Sequence, residues 1–280
     1  MPPKNRMRYL APAAAATAVL ALSATACSAS ASAAPAKPSA PEHAAMVQDV
    51  ARPGTPQVPA EPGSPAAPGT PAAPGTVPDG FATTSEGGPH TVDITIDDGP
   101  SPLWTPKVLK VLAQNDVHAT FCMIGKNAAR YPALVKQVAA AGNRLCDHSV
   151  DHDMTMDKKS AAYQKAEILG GQAMIDRAAG GPAAEYYRAP GGAFTPTSRA
   201  IAAAHGLRPL GWQVDPKDWS RPGTASIVGT VEKQVAEKNG PVILFHDGGG
   251  DRSQTVAALT QLLPWLKAQG YGFSFPARSS

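Results

Sequence analysis

The sequence has little charge imbalance, few cysteines and few long apolar runs, and each shortage excludes something. Lys and Arg number 25 against 22 Asp and Glu, a net charge of +3 over 280 residues. Setting aside Lys4, Arg6 and Arg8 at the start of the chain balances the two signs. There is no basic run and no stripe of aromatic and basic residues, so the footprint of a nucleic-acid binder is missing. A neutral partner suits this balance. The three cysteines, Cys27, Cys122 and Cys146, allow at most one intrachain disulfide. The long apolar run, Tyr9 to Ala26, is 18 residues of mostly alanine, near the lower limit for spanning a bilayer.

What is present divides the chain in three. Residues 1–34 read as an export signal, with Lys4, Arg6 and Arg8 ahead of the apolar run. Two ways of processing it stay open. Ala24-Thr25-Ala26-Cys27 resembles a lipoprotein box, which would make Cys27 a lipidation site and the only membrane attachment. Ala31-Ser32-Ala33 offers a small-x-small site for ordinary secretion. Either way the expected location is extracellular, free or anchored to the outer face of the membrane. Residues 35–89 are rich in Pro, Ala and Gly and repeat Pro-Ala-Ala-Pro-Gly-Thr at 65–70 and 71–76, as a disordered linker does. Residues 90–280 carry the apolar periodicity of a folded domain.

Within that domain, clusters of chemically capable residues follow short apolar, strand-like runs. Thr91 to Ile96 leads into Asp97-Asp98-Gly99-Pro100. Two adjacent carboxylates at a strand end can divide their work, one holding a cation and the other handling protons. His148 and His152 are four apart, a spacing that puts both imidazoles on one face of a helical turn and within reach of one ion. Arg188-Ala189-Pro190-Gly191-Gly192, Asp215-Pro216-Lys217-Asp218-Trp219 and Leu244-Phe245-His246 complete the set. In this order the five clusters resemble those of the polysaccharide deacetylase family, also called carbohydrate esterase family 4. Two positions depart from its pattern. Ile96 replaces a phenylalanine, and Gly191 stands where many members carry an aromatic residue.

The resemblance implies a hydrolase that removes N-acetyl groups from N-acetylglucosamine-containing polysaccharide, with acetyl-xylan esterase activity or a non-catalytic carbohydrate-binding role as alternatives. It implies that Asp98, His148 and His152 hold a divalent metal, zinc or alternatively cobalt. Asp97 would be the general base, Arg188 its partner, and His246 the acid, held by Asp215. The Gly191 N–H would receive the oxyanion, with Trp219 and Leu244 shaping the acetyl pocket. Asp218 reads as a residue that supports the site from behind or fixes its loop. His118, His205 and Asp247 are read as structural, and Asp151 and Asp153 as solvated loop carboxylates. The expected assembly is a monomer.

Alternating strand-like and helix-like segments argue for a parallel sheet with helices outside. The expected helices lie within 102–114, across 127–141 and within 158–179; 117–124 is an expected strand, and 207–214 reads as one strand or two short ones. About seven strands fit the distorted (β/α)7 barrel that the resemblance implies, although an open doubly wound sheet fits the same order. Cys122 and Cys146 fall in strand-like runs. They would form a disulfide if those strands are neighbours, and would otherwise be buried thiols.

Overall fold

The computed structural model describes residues 77–181 and 183–279. The signal at 1–34, Cys27 and the linker as far as residue 76 lie outside the described residues. Among those described, seven strands alternate with seven α-helices. They run β1 (Thr91–Asp97), α1 (Thr105–Gln114), β2 (Ala119–Met123), α2 (Gly125–Arg130), α3 (Pro132–Ala140), β3 (Arg144–Asp147) and α4 (Ala161–Ala179). There follow β4 (Ala184–Tyr187), α5 (Pro196–Ala204), β5 (Arg208–Pro209), α6 (Thr224–Ala236), β6 (Val242–His246), α7 (Ser253–Ala268) and β7 (Gly272–Phe273). The strands are parallel in the order β5-β4-β3-β2-β1-β6, with β7 beside the start of β1.

The pleat of β1 explains how one strand serves two cores. Val92, Ile94 and Ile96 face outward and pack with Val108, Leu112, Leu259 and Leu263 of the surrounding helices. Asp93, Thr95 and Asp97, the alternate residues, are buried on the other face. That inner face also holds a small cluster of Ala82, Cys122, Cys146, Tyr186, Leu210 and Val242. Cys122 and Cys146 are register partners across β2 and β3 and are joined as a disulfide.

The sheet ends, β5 and β6, are bridged by a segment assigned above to the linker. Ala82 N–H donates to Pro209 O at 2.8 Å, and Ala82 O accepts from Gly211 N–H at 2.9 Å. Next in the chain, Thr83 O accepts from Val242 N–H at 3.1 Å, and Ser85 N–H donates to Gly240 O at 2.8 Å. The curled sheet therefore closes as a distorted barrel, and the linker boundary at 89 is corrected. Residues 77–89 belong to the folded domain, with Ala82 only 2% exposed. A composition average dominated by the upstream prolines hides the short run Phe81-Ala82-Thr83-Thr84. At the base of the barrel, Ser85 Oγ donates to Asp93 Oδ1 at 2.7 Å. Burial pushes the Asp93 carboxyl up to about 7.

One other boundary differs from the sequence expectation. The helix expected over 127–141 is broken at Tyr131, with φ −126° and ψ 56°, because the following Pro132 disfavours a helical conformation in its predecessor. Of the two readings of 207–214, the structure has the divided one: Arg208–Pro209 pairs with β4, and Val214 bridges separately to Ile243.

Candidate active site

β1 lies between β2 and β6, and its last residue, Asp97, is in register with Cys122 and His246. The carboxyl end of a central strand thus delivers the aspartate pair. Asp97 continues the inward alternation. Asp98 is at φ +74°, a left-handed conformation that costs a non-glycine residue energy and turns its side chain into the same cleft. Its carbonyl accepts a hydrogen bond from Asn127 Nδ2 at 3.0 Å.

His148 and His152 come together by a route that the helical spacing did not foresee. Residues 148–152 form an irregular loop after β3, with Ser149 and His152 both at φ +64°. Side chains tie this loop down. Asp147 Oδ1 accepts from Ser149 N–H at 3.1 Å, Ser149 Oγ accepts from His152 N–H at 3.1 Å, and Glu167 Oε2 accepts from Val150 N–H at 3.2 Å. The two rings end 4.9 Å apart.

Asp98 Oδ1 is buried and makes no hydrogen bond of ordinary geometry, although His148 Nε2 and His152 Nε2 face it at 3.5 and 3.2 Å. His148 Nδ1 lies 2.7 Å from Arg188 O, which fixes the proton on Nδ1 and turns the Nε2 lone pair toward the carboxylate. Converging lone pairs of one carboxylate and two imidazoles, with donor atoms all within 4.8 Å of one another, are the donor set of a divalent cation. Burial opposes ionisation of Asp98, but with no cation between them protonated imidazoles at these distances outweigh it and hold the carboxyl far below the usual range, the same preference for positive charge that a metal would meet. The residues fit a metal.

Arg188 spans the barrel interior. Its Nη1 donates to Asp97 Oδ1 at 2.6 Å and to Thr95 Oγ1 at 2.9 Å. Nε and Nη2 are satisfied by Leu210 O and Gly211 O at 3.2 and 3.0 Å. Four hydrogen bonds hold this buried guanidinium in place, and it in turn orients the Asp97 carboxylate.

His246 ends β6, and here one assignment is corrected. Its Nδ1 lies 2.7 Å from Asp218 Oδ1, so the partner is Asp218 and not Asp215. Asp218 Oδ2 accepts from His246 N–H at 2.9 Å and from Thr255 Oγ1 at 2.7 Å. The cause is local. Lys217 at φ +55° opens a 3-10 turn, Asp218–Ser220, that drives Asp218 inward, while Asp215 Oδ1 caps the turn by accepting from Lys217 N–H at 2.8 Å. Burial lowers the proton affinity of His246, but the Asp218 carboxylate outweighs it and raises the pKa above the usual value. Asp247, read as structural, accepts from Thr105 Oγ1 at 2.5 Å and is pushed by burial to about 7.

These groups surround a cleft of about 490 Å³, whose walls include Gly191, Trp219, Leu244 and Asp215 as well as Met154, Trp212 and Arg252. The sequence reading gave Met154 no role and did not single out Trp212 or Arg252. Arg252 Nη1 donates to Trp219 O at 3.2 Å and so fixes the loop that carries Trp219. The second aspartate beside a tryptophan was the available signal for Asp218; no comparable signal marks the other three.

Comparison with known proteins gives the family of the chain. Residues 84–210 match the family model described as polysaccharide deacetylase. A peptidoglycan-N-acetylglucosamine deacetylase of Bacillus cereus is 41% identical over 184 residues, which are 65% of this chain and 84% of that protein. A chitooligosaccharide deacetylase of a Bradyrhizobium species is 37% identical over 195 residues, 66% of this chain and 88% of that protein. The structure of a family 4 carbohydrate esterase from Streptomyces lividans in complex with acetate superimposes with TM-score 0.60 at 32% identity, covering 68% of this chain and 98% of that one. The chain belongs to the polysaccharide deacetylase family of hydrolases.

Proposed function

We propose that this protein hydrolyses N-acetyl groups of N-acetylglucosamine-containing polysaccharide, peptidoglycan or chitin-type oligomers, giving acetate and a free amine. The observation that carries the reading is the pairing of two built groups on one cleft: Asp97 clamped by Arg188, and His246 clamped by Asp218. Asp98, His148 and His152 would hold the divalent cation. When bound, such an ion supplies Lewis acidity, bringing the pKa of water from 15.7 to about 7. Asp97 takes the proton from the attacking water, and Arg188 keeps Asp97 aimed. The Gly191 N–H supports the charge that develops on the acetyl oxygen. His246, charged beside Asp218, protonates the leaving nitrogen, which otherwise would have to depart as an amide anion. Zinc suits the nitrogen-rich donor set, and cobalt would substitute. The start of the chain supports export, with lipidation at Cys27 if the lipoprotein box is used.

Acetate release tests this directly. The protein stripped of metal should be inactive on N-acetylglucosamine oligomers and should recover with zinc or cobalt. Full activity after stripping would refute the metal role. Release only from O-acetylated xylan would refute the amide substrate.

A further inference from the structure

The Pro190–Gly192 turn presents two glycines to the cleft, and side chains from other loops occupy the space beside each. A Cβ on Gly191 would meet Met154 Cε at 3.0 Å, and one on Gly192 would meet Trp212 Cη2 at 2.9 Å. The cleft wall on this side is therefore built from a methionine and a tryptophan that the turn itself does not carry. Trp212 is tied down, with the Arg188 guanidinium 5.5 Å from its ring. Met154, two residues beyond His152, is 62% exposed.

Scattered exposed apolar side chains are ordinary and call for no explanation. The distribution here is not scattered. Among the described residues four large hydrophobics are exposed, namely Phe81, Leu103, Met154 and Trp219. Phe81 packs edge-on to Phe194 at 4.9 Å with Arg199 against its ring. Met154 and Trp219 both line the cleft, and they come from different loops, one after β3 and one before α6. An exposed thioether on the cleft wall offers uncharged, polarisable surface. This matches the C–H face of a pyranose ring, which has hydroxyls at its edge and apolar carbon on its face.

We propose that Met154 is a specificity-determining residue that contacts the apolar face of a sugar ring adjoining the acetamide under attack. The unbranched, flexible methionine takes over a wall that a side chain at position 191 would otherwise supply, and adapts to rings of differing substitution. This inference rests on the glycan deacetylase reading above. The Met154 thioether has no proton to give or take, so its contribution is to binding of the sugar chain rather than to proton transfer.

The test uses the full chain loaded with zinc and an N-acetylglucosamine tetramer, measuring kcat and KM separately. Met154→Ala should raise KM about 5- to 20-fold, the scale of losing a few apolar contacts at a half-open site, while kcat stays within about twofold. Met154→Leu should restore KM to near the parent value, since it returns apolar volume without sulfur. Being exposed, the position tolerates both changes in folding. A parent-like KM in Met154→Ala would overturn the inference. So would a fall in kcat at unchanged KM, since that would mean a structural effect on the neighbouring His152 loop. If the parent itself releases no acetate from the tetramer, the deacetylase reading falls and this inference with it. Parent activity with an indifferent Met154→Ala removes the inference alone.

Discussion

His148 and His246 stand on the two sides of one cleft, and are 2% and 8% exposed. Each has its Nδ1 2.7 Å from an oxygen. For His148 that oxygen is the backbone carbonyl of Arg188, and for His246 it is the carboxylate of Asp218. A carbonyl sets the tautomer without adding charge, so the far nitrogen stays a lone-pair donor, as a metal ligand needs. A carboxylate stabilises the protonated ring, as an acid needs. The same side chain, held at the same distance, is thus prepared for opposite work by the charge of its second partner. Arg188 serves two of the cleft groups, its carbonyl orienting His148 while its guanidinium holds Asp97, the base of the proposed reaction.

Removing each histidine gives the largest expected effect and separates the two sides. His148→Ala should lose both bound zinc and turnover. His246→Ala should keep its zinc, yet lose turnover by about 10²- to 10⁴-fold, the usual contribution of a general acid. Metal content by elemental analysis alongside kcat checks this. Equal loss of zinc in both variants would break the division between the sides.

Neutralising the distinguishing carboxylate is a gentler test. Asp218 raises the pKa of His246, so the acid form persists to higher pH than an unassisted imidazole would allow. Asp218→Asn removes that support, and the alkaline limb of the kcat/KM profile should move to lower pH. Turnover near neutrality should fall about 10- to 100-fold with zinc retained. Asp215→Asn, which removes a charge but keeps an oxygen to accept from Lys217 N–H, should leave the alkaline limb in place. If Asp215→Asn moved the limb and Asp218→Asn did not, the pairing seen in the structure would not be the one that operates.

The contrast between Asp215 and Asp218 also marks how far the sequence could be read. Residues carrying charge at strand ends were legible, because parallel strands bring their carboxyl ends together and the clusters recur after apolar runs. The strand–helix order, the Asp97-Asp98 pair and the Cys122–Cys146 pairing follow from that regularity. Which of two aspartates turns inward was not legible, since it depends on a left-handed residue at Lys217 that no periodicity encodes. The same holds for His148 and His152, which meet through two left-handed loop residues instead of a helical turn. Residues 82–85 were misread because closure of the barrel is a long-range event, pairing them with Pro209, Gly211, Gly240 and Val242. Met154 and Trp212 stayed invisible for a related reason: their importance comes from the glycines they cover, far away in sequence.

The smallest expected effect on activity concerns the floor beneath both sides. The Cys122–Cys146 bond joins β2 to β3 in the same layer as Asp97, with His148 two residues beyond Cys146. It could be part of the site or only its support. The cleft groups are held without the sulfurs, by Arg188 on Asp97 and on His148 and by Asp218 on His246. The disulfide closes a loop with a sequence separation of 24. Its loss should therefore release unfolded-chain entropy worth about 3 kcal/mol, or a fall in Tm of roughly 5–10 °C. Replacing both cysteines by alanine should produce that fall in a thermal melt, while kcat, measured well below the transition, stays within about twofold of the parent. A large loss of kcat in a variant that still melts cooperatively and still holds zinc would make the floor a third member of the machinery. The two-sided comparison would then have to be redrawn around it.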